Sequence, residues 1–163
     1  MLAANNLSIN AINLISKFRI YNRHYIVTTF AGTNSDRTIQ GINYRKNGFL
    51  AGVNYNSLFL QRKLKISLGA RYNDKYFSSA TYERLNLNLM SSYRINEDWM
   101  VSMNNFYNNT NTFNFIADTI LLRQQIFNNT VIFNTQNRIG SFQPGLLYNY
   151  QNLRTGAFHS RGL

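Results

Sequence analysis

The sequence is short of three things that constrain its class: cysteine, acidic residues and long apolar runs. With no cysteine among 163 residues, a disulfide framework and thiolate metal sites are excluded. Only 6 residues are acidic against 17 that are basic, which gives a net charge of +11. No apolar run reaches the roughly 18–20 residues of a transmembrane helix, so a membrane role would require strands.

The polar character comes from neutral side chains instead. Charged residues make up 14% of the chain, well below the roughly 25% of soluble globular domains. Asparagine fills the gap in runs such as "NNTNTFN", and its amide both donates and accepts hydrogen bonds. Aromatic residues reach 15%, from 11 Tyr and 12 Phe with a single Trp.

Alternation with a period of two recurs from about residue 24 onward, in runs of roughly nine to eleven residues. It predicts an all-β chain of roughly eight antiparallel strands. We interpret residues 1–163 as one unit, an up-and-down transmembrane β-barrel or an open curved sheet forming part of one. Residues 1–20 fit either period, and residues 113–121 have the spacing of a short helix.

Turn signals predict where these strands end. Asn47-Gly48 lies between two alternating runs and predicts a tight hairpin with a positive φ at Gly48. The run "HYIVTTFAG" (24–32) is predicted to end at "TNSD". Pro144 removes one ladder donor and predicts a strand start, a bulge or a sheet edge.

Alternation also separates two faces with different expected surroundings. One face is rich in amides and bases and is predicted to line a wet lumen; its candidate residues are Lys65, Arg71, Asn86, Asn88, Arg94 and Asn104. The other face is apolar and carries rings at or near predicted strand ends, where an aromatic girdle meets a membrane interface. The girdle candidates are Tyr72, Tyr93, Trp99, Tyr107, Tyr148 and Tyr150. A simple preference of Tyr for strands is the alternative explanation.

The stretch "SYRINEDWMVSMNNFYNN" (92–109) has a tyrosine closing one strand, a short polar turn and a tryptophan opening the next. In this style, over about residues 24–152, the chain resembles the barrel domains of Bacteroidota-type outer-membrane proteins. The resemblance implies antiparallel strands, short periplasmic turns, longer outer loops and location in the bacterial outer membrane. Because no signal peptide precedes the strands and the chain ends "GAFHSRGL" rather than in an aromatic, we expect a segment of a longer barrel.

No pattern of catalysis or cofactor binding is present. The two histidines, His24 and His159, have no acidic residue at a ligand-like spacing, and no GxSxG or glycine-rich phosphate motif occurs. Glu97 and Asp98 are explained as a polar turn. The sequence therefore predicts no enzyme, no cofactor and no metal.

The basic excess leaves two functional hypotheses. Within a barrel, cations in the lumen would favour anions, and cations at the outer rim would pair with lipopolysaccharide phosphates. The expected partners are then outer-membrane lipid, lipopolysaccharide, small solutes and missing strands of a longer parent chain, and the function is porin-like or receptor-like passage or anchoring of an assembly. The alternative is a soluble β-sandwich that binds glycan or nucleic acid. Because the basic residues are scattered, we expect no nucleic acid.

Overall fold

A single antiparallel sheet contains every strand of the computed structural model, which describes residues 7–39, 41–77, 81–114, 116–137 and 140–158. The strands are β1 (Leu7–Tyr21), β2 (His24–Ile39), β3 (Ile42–Phe59), β4 (Leu64–Asn73), β5 (Tyr82–Arg94), β6 (Trp99–Phe113), β7 (Ile120–Asn137), β8 (Gly140–Phe142) and β9 (Gly145–Phe158). A short 3-10 turn (Leu60–Arg62) joins β3 to β4. The all-β prediction is confirmed.

Each strand pairs with the next one in the chain, in an up-and-down order from β1 to β7. Strands β8 and β9 both pair with β7 and together act as one interrupted edge strand, so the sheet has eight strand positions. Pro144 lies in the interruption, and its carbonyl accepts a hydrogen bond from Phe133 N at 2.9 Å. The proline was predicted at a strand start, a bulge or a sheet edge, and it lies immediately before β9, in the interruption of the edge strand.

The sheet is open among the described residues. β1 pairs only with β2, and β9 pairs only with β7. The structure is therefore the open-sheet form of the predicted architecture. No helix within the described ranges has both the length and the apolar character to cross a membrane.

The connections differ between the two ends of the sheet. At one end, which we call the lower end, they are residues 22–23, 60–63 and 95–98. At the other, the upper end, they are the tight connection between Ile39 and Ile42, the β4–β5 loop between Asn73 and Tyr82, and the β6–β7 loop between Phe113 and Ile120. Among the connections that the structure describes, the longer ones thus lie at the upper end.

The predicted Asn47-Gly48 turn is wrong. Both residues lie inside β3, opposite Asn34 and Thr33 of β2, and the chain reverses between Ile39 and Ile42. Gly41 supplies the positive φ of that turn, at 80°. At Gly48 an added Cβ would overlap the backbone carbonyl carbon of Tyr76. The glycine is therefore required for close approach of the β4–β5 loop.

Two other local predictions are also wrong. β2 continues through "TNSD" to Ile39, because Ser35 donates its hydroxyl hydrogen to Lys46 O at 3.1 Å and is itself buried. The helical spacing at 113–121 does not form a helix in the described residues. Instead, the Asn114 side chain accepts hydrogen bonds from the amides of Ile116 and Ala117. This is an asparagine turn, in which a side-chain oxygen replaces a backbone acceptor.

The polar-turn prediction for Glu97 and Asp98 is confirmed. The Asn96 side-chain oxygen accepts from the amides of Asp98 at 3.0 Å and Trp99 at 2.8 Å. These bonds satisfy two amides between β5 and β6 that the ladder leaves unpaired. Trp99 is thereby held at the lower end of β6.

Most buried side chains lie on the face that carries the amide and basic side chains. Register places Ala31, Thr33, Ser35 and Leu50 together on that face near the upper end of β2 and β3. The β4–β5 loop lies against this region, since Asp74 N donates to Phe49 O at 2.8 Å. The upper part of this face is therefore covered, whereas its lower part is open.

Candidate functional site

All six candidate lumen residues lie on one face of the sheet, which we call the polar face. Opposed residues of neighbouring strands point to the same side. Arg71 opposes Asn86, and Lys65 opposes Ser92, two positions from Arg94 on the same face. Asn88 and Asn104 follow on that face through the β5–β6 register. The structure thus brings the predicted set together.

Amide groups cross the middle of the polar face over Gly69. An added Cβ at Gly69 would overlap the side-chain oxygen of Asn88, and the Asn54 oxygen lies next to it at 2.5 Å from that position. The absent side chain leaves room for two amides from the flanking strands β3 and β5. This neutral pair can donate and accept hydrogen bonds in several orientations.

A groove of about 480 Å³ opens on the lower part of the polar face. It includes the candidates Lys65 and Asn104, both exposed. Hydroxyl groups of Ser67, Ser92 and Ser102 surround them. The groove has the size of a small-molecule site, about 300–1,000 Å³.

The upper loops are joined by a cluster of charged and aromatic side chains that sequence reasoning missed. Lys75 Nζ lies 2.9 Å from Asp118 Oδ2, and Tyr76 OH donates to Asp118 Oδ1 at 2.7 Å. Lys46 Nζ lies 4.7 Å from the centre of the Tyr76 ring. We call Lys46, Lys75, Tyr76 and Asp118 the loop cluster. Its members are separated by up to 72 positions in sequence, and no short-range pattern connects them.

The loop cluster shifts two pKa values. Burial raises the pKa of Asp118, but the hydrogen bonds from Lys75 and Tyr76 and the charges of Lys75 and Lys46 lower it more, so the net shift is downward. For Tyr76, burial, the hydrogen bond to Asp118 and the nearby negative charges raise the pKa far above its ordinary value. Asp118 is thus held as the charged carboxylate and Tyr76 as the neutral phenol.

All six candidate girdle residues lie on the opposite face, which we call the apolar face. Tyr93 and Trp99 lie at the lower end of the sheet, and Tyr72 lies near the upper end of β4. The strand-end expectation is wrong for Tyr107 and Tyr150, which lie mid-strand on either side of Phe127. Tyr148 lies closer to a strand end, three residues after Gly145, where β9 begins. The strands are longer than the alternating runs in the sequence indicated, so the rings of Tyr107 and Tyr150 lie farther from the strand ends than predicted.

A hydrogen-bonded chain of side chains crosses four strands at the upper end of the apolar face. Tyr72 OH donates to Glu83 Oε1 at 2.5 Å, and Asn111 Nδ2 donates to Glu83 Oε2 at 3.2 Å. Arg123 Nε then donates to Asn111 Oδ1 at 3.0 Å. This chain marks the height at which the apolar face becomes polar.

His24 is the described histidine, and it lies beside Ser57 and Tyr55. Its Nδ1 lies 2.5 Å from Ser57 Oγ and 3.1 Å from Tyr55 OH. Ser57 is only 2% exposed, so its hydroxyl is closed to a substrate carbonyl. His159 lies outside the described residues, and in the part of the chain that the structure describes no three His, Asp or Glu side chains gather as a metal site.

Comparison with known proteins identifies no relative: no family model, no curated protein and no solved structure matches the chain.

Proposed function

We propose that the chain forms part of a bacterial outer-membrane β-barrel. Its apolar face meets lipid, and its polar face lines a water-filled interior through which small solutes pass. Anchoring of a larger assembly in the membrane is a second function that the same architecture supports.

The uncovered apolar face carries the proposal. Large apolar side chains from all over the sheet stay exposed on it: Phe30 is 53% exposed, Leu68 44%, Leu87 40% and Phe133 40%. Burying apolar area is favourable by about 25 cal/mol per Å². A continuous apolar surface of this kind therefore requires a cover, and lipid provides one without a second protein layer.

The height of the apolar face fits a bilayer. On β5 the apolar residues run from Leu85 to Tyr93, which spans about 27 Å at the antiparallel rise of about 3.4 Å per residue. A strand tilt of about 40° reduces that height to about 20 Å, near the roughly 25 Å of outward apolar bands. The Tyr72–Glu83–Asn111–Arg123 chain bounds it above, and Trp99 bounds it below.

The open edges require further strands in such a setting. Exposed side chains of the apolar face flank both of them, with Ile12 80% and Leu14 62% exposed on β1, and Leu146 74% and Tyr148 60% exposed on β9. Each unpaired backbone group costs several kcal/mol in hydrocarbon. We therefore expect β1 and β9 to pair with strands of a longer parent chain or of another copy.

Cell fractionation tests the proposal. The protein is expected with the outer membrane, extracted by detergent and not by high salt. Recovery as a soluble monomer without detergent would contradict it and favour the β-sandwich alternative, in which a second sheet covers the apolar face.

Conductance in planar bilayers separates passage from anchoring. Discrete conductance steps are expected if the polar face lines an open interior. Stable insertion without any conductance would leave anchoring as the function.

A further inference from the structure

The basic residues of the sheet are distributed unequally between its faces. The described strands place eight Lys and Arg side chains on the polar face and no Asp or Glu. The acidic residues lie on the apolar face, in turns or in loops. The eight are Lys17, Arg19, Arg37, Lys46, Lys65, Arg71, Arg84 and Arg94. A surface of one sign raises the local concentration of its counter-ions.

Four of these cations form two diagonal pairs across β4 and β5. Lys65 opposes Ser92, so Arg94 is its diagonal neighbour on the polar face, about 7–8 Å away by the usual spacing. Arg71 and Arg84 have the same relation three polar-face positions higher, since Arg71 opposes Asn86. Like charges at this spacing repel each other, and an anion bound between them is attracted by both and offsets the repulsion.

The Lys65–Arg94 pair differs from the other because Lys65 lines the 480 Å³ groove. Arg94 lies at the rim of the groove, since it opposes Met100, another lining residue. Ser67, Ser92 and Ser102 supply hydroxyls on the walls of the groove, and Asn104 supplies an amide. Each of these groups both donates and accepts hydrogen bonds, as hydroxyl groups of a ligand require. Met90 and Met100 add apolar surface that fits the carbon skeleton of such a ligand.

We propose that this groove binds small hydroxylated anions, such as sugar acids and sugar phosphates. Lys65 and Arg94 hold the anionic group, and the Ser and Asn side chains hold the hydroxyls. This inference rests on the proposed function, because it specifies the class of solute that the polar face selects. The groove lies at the lower end, away from the long loops, so a solute reaches it along the interior.

Calorimetric titration of the folded protein, in detergent or in buffer, tests binding without requiring a pore. The probes are glucuronate, glucose 6-phosphate, inorganic phosphate and glucose. Glucuronate and glucose 6-phosphate are expected to bind, glucose to bind at least tenfold more weakly, and inorganic phosphate more weakly than its sugar ester. Affinity is expected to fall as salt rises, because the contacts are exposed.

Two charge-removing variants make the test specific. Lys65→Gln is expected to weaken glucuronate binding about tenfold, the usual effect of losing a hydrogen bond to a charged group. Lys17→Gln removes the same charge from the same face on the edge strand β1, where it lines no part of the groove, and is expected to change binding less than twofold. Equal binding of glucose and glucuronate, wild-type affinity of Lys65→Gln, or phosphate binding as tight as its sugar ester would each overturn the inference.

Failure of the two proposals is distinguishable. A protein that stays soluble refutes the membrane proposal, yet its titrations still decide whether the groove binds anions. A membrane-inserted protein that fails the titrations refutes the groove alone.

Discussion

Gly48 lies directly beneath the backbone of Tyr76, although 28 residues separate them. The contact places the β4–β5 loop against the upper polar face, over the region where Leu50 and Ala31 are buried. It also brings the Tyr76 ring to Lys46 and its hydroxyl to Asp118. Because Gly48 has no side chain, both long loops can adopt this arrangement.

Gly48→Ala is expected to destabilise the fold by about 1–3 kcal/mol, because overpacking forces the backbone of the loop to move. Gly52→Ala is the matched control in the same strand, since its new Cβ would be 3.6 Å from the nearest atom, Ala70 O. Unfolding in urea, followed by Trp99 fluorescence, measures both. Equal midpoints for the two variants would contradict the close approach of Tyr76.

Gly41→Ala is expected to cost about 1–2 kcal/mol for a different reason: its φ of 80° is left-handed, where a Cβ approaches the carbonyl oxygen. Gly32→Ala is the control, because open space surrounds that position. The free energy of unfolding from the same urea titrations compares them. A change at Gly41 no larger than that at Gly32 would argue against the left-handed conformation of Gly41.

The period-two pattern was sufficient to assign the faces. Leu87 and Asn88 point to opposite faces wherever the strand begins. As predicted, the six lumen candidates therefore share the polar face, and the six girdle candidates share the apolar face. An error in a strand boundary does not change which residues share a face. The positions of the strand ends were harder to predict, because the sequences Asn47-Gly48 and Gln40-Gly41 are both suited to a turn. Gly48 is instead extended within β3 and lies against Tyr76, which belongs to a loop that is distant in the sequence.

Side-chain clusters were beyond sequence reasoning for the same reason. Lys46, Tyr76 and Asp118 meet only after three hairpins have formed. His24 and Ser57 meet only through the β2–β3 register. A single sequence carries local periodicity but not these long-range pairings, which depend on the register of whole strands.

Acidification is expected to loosen the loop cluster. Because the folded pKa of Asp118 lies below the ordinary value of 3.8, its stabilisation is complete above that value and is lost as the pH falls through the folded pKa. Protection factors against hydrogen exchange at the amides of Phe77 and Asp118, which donate to Asp74 O and Asn114 O, should therefore fall below about pH 4. Asp118→Asn should lower them already at pH 7 and remove the acid-dependent step.

Asp98→Asn is the control for that experiment, because Asp98 lies in the exposed lower turn. It should leave exchange in the upper loops unchanged at either pH. An acid-dependent step that survives in Asp118→Asn would assign the pH effect to another group.

The assignment of the two faces is tested most directly by placing the same charge on each. Leu87→Arg puts a cation at mid-height on the apolar face, between Ala70 and Tyr107. In lipid this is expected to cost about 2–4 kcal/mol. Asn104→Arg puts it on the open polar face, where water solvates it and the expected cost is below about 1 kcal/mol. Unfolding free energies measured in lipid bilayers compare the two. Equal costs would reject lipid on one side and water on the other, because only a difference in solvent separates two exposed positions of the same sheet.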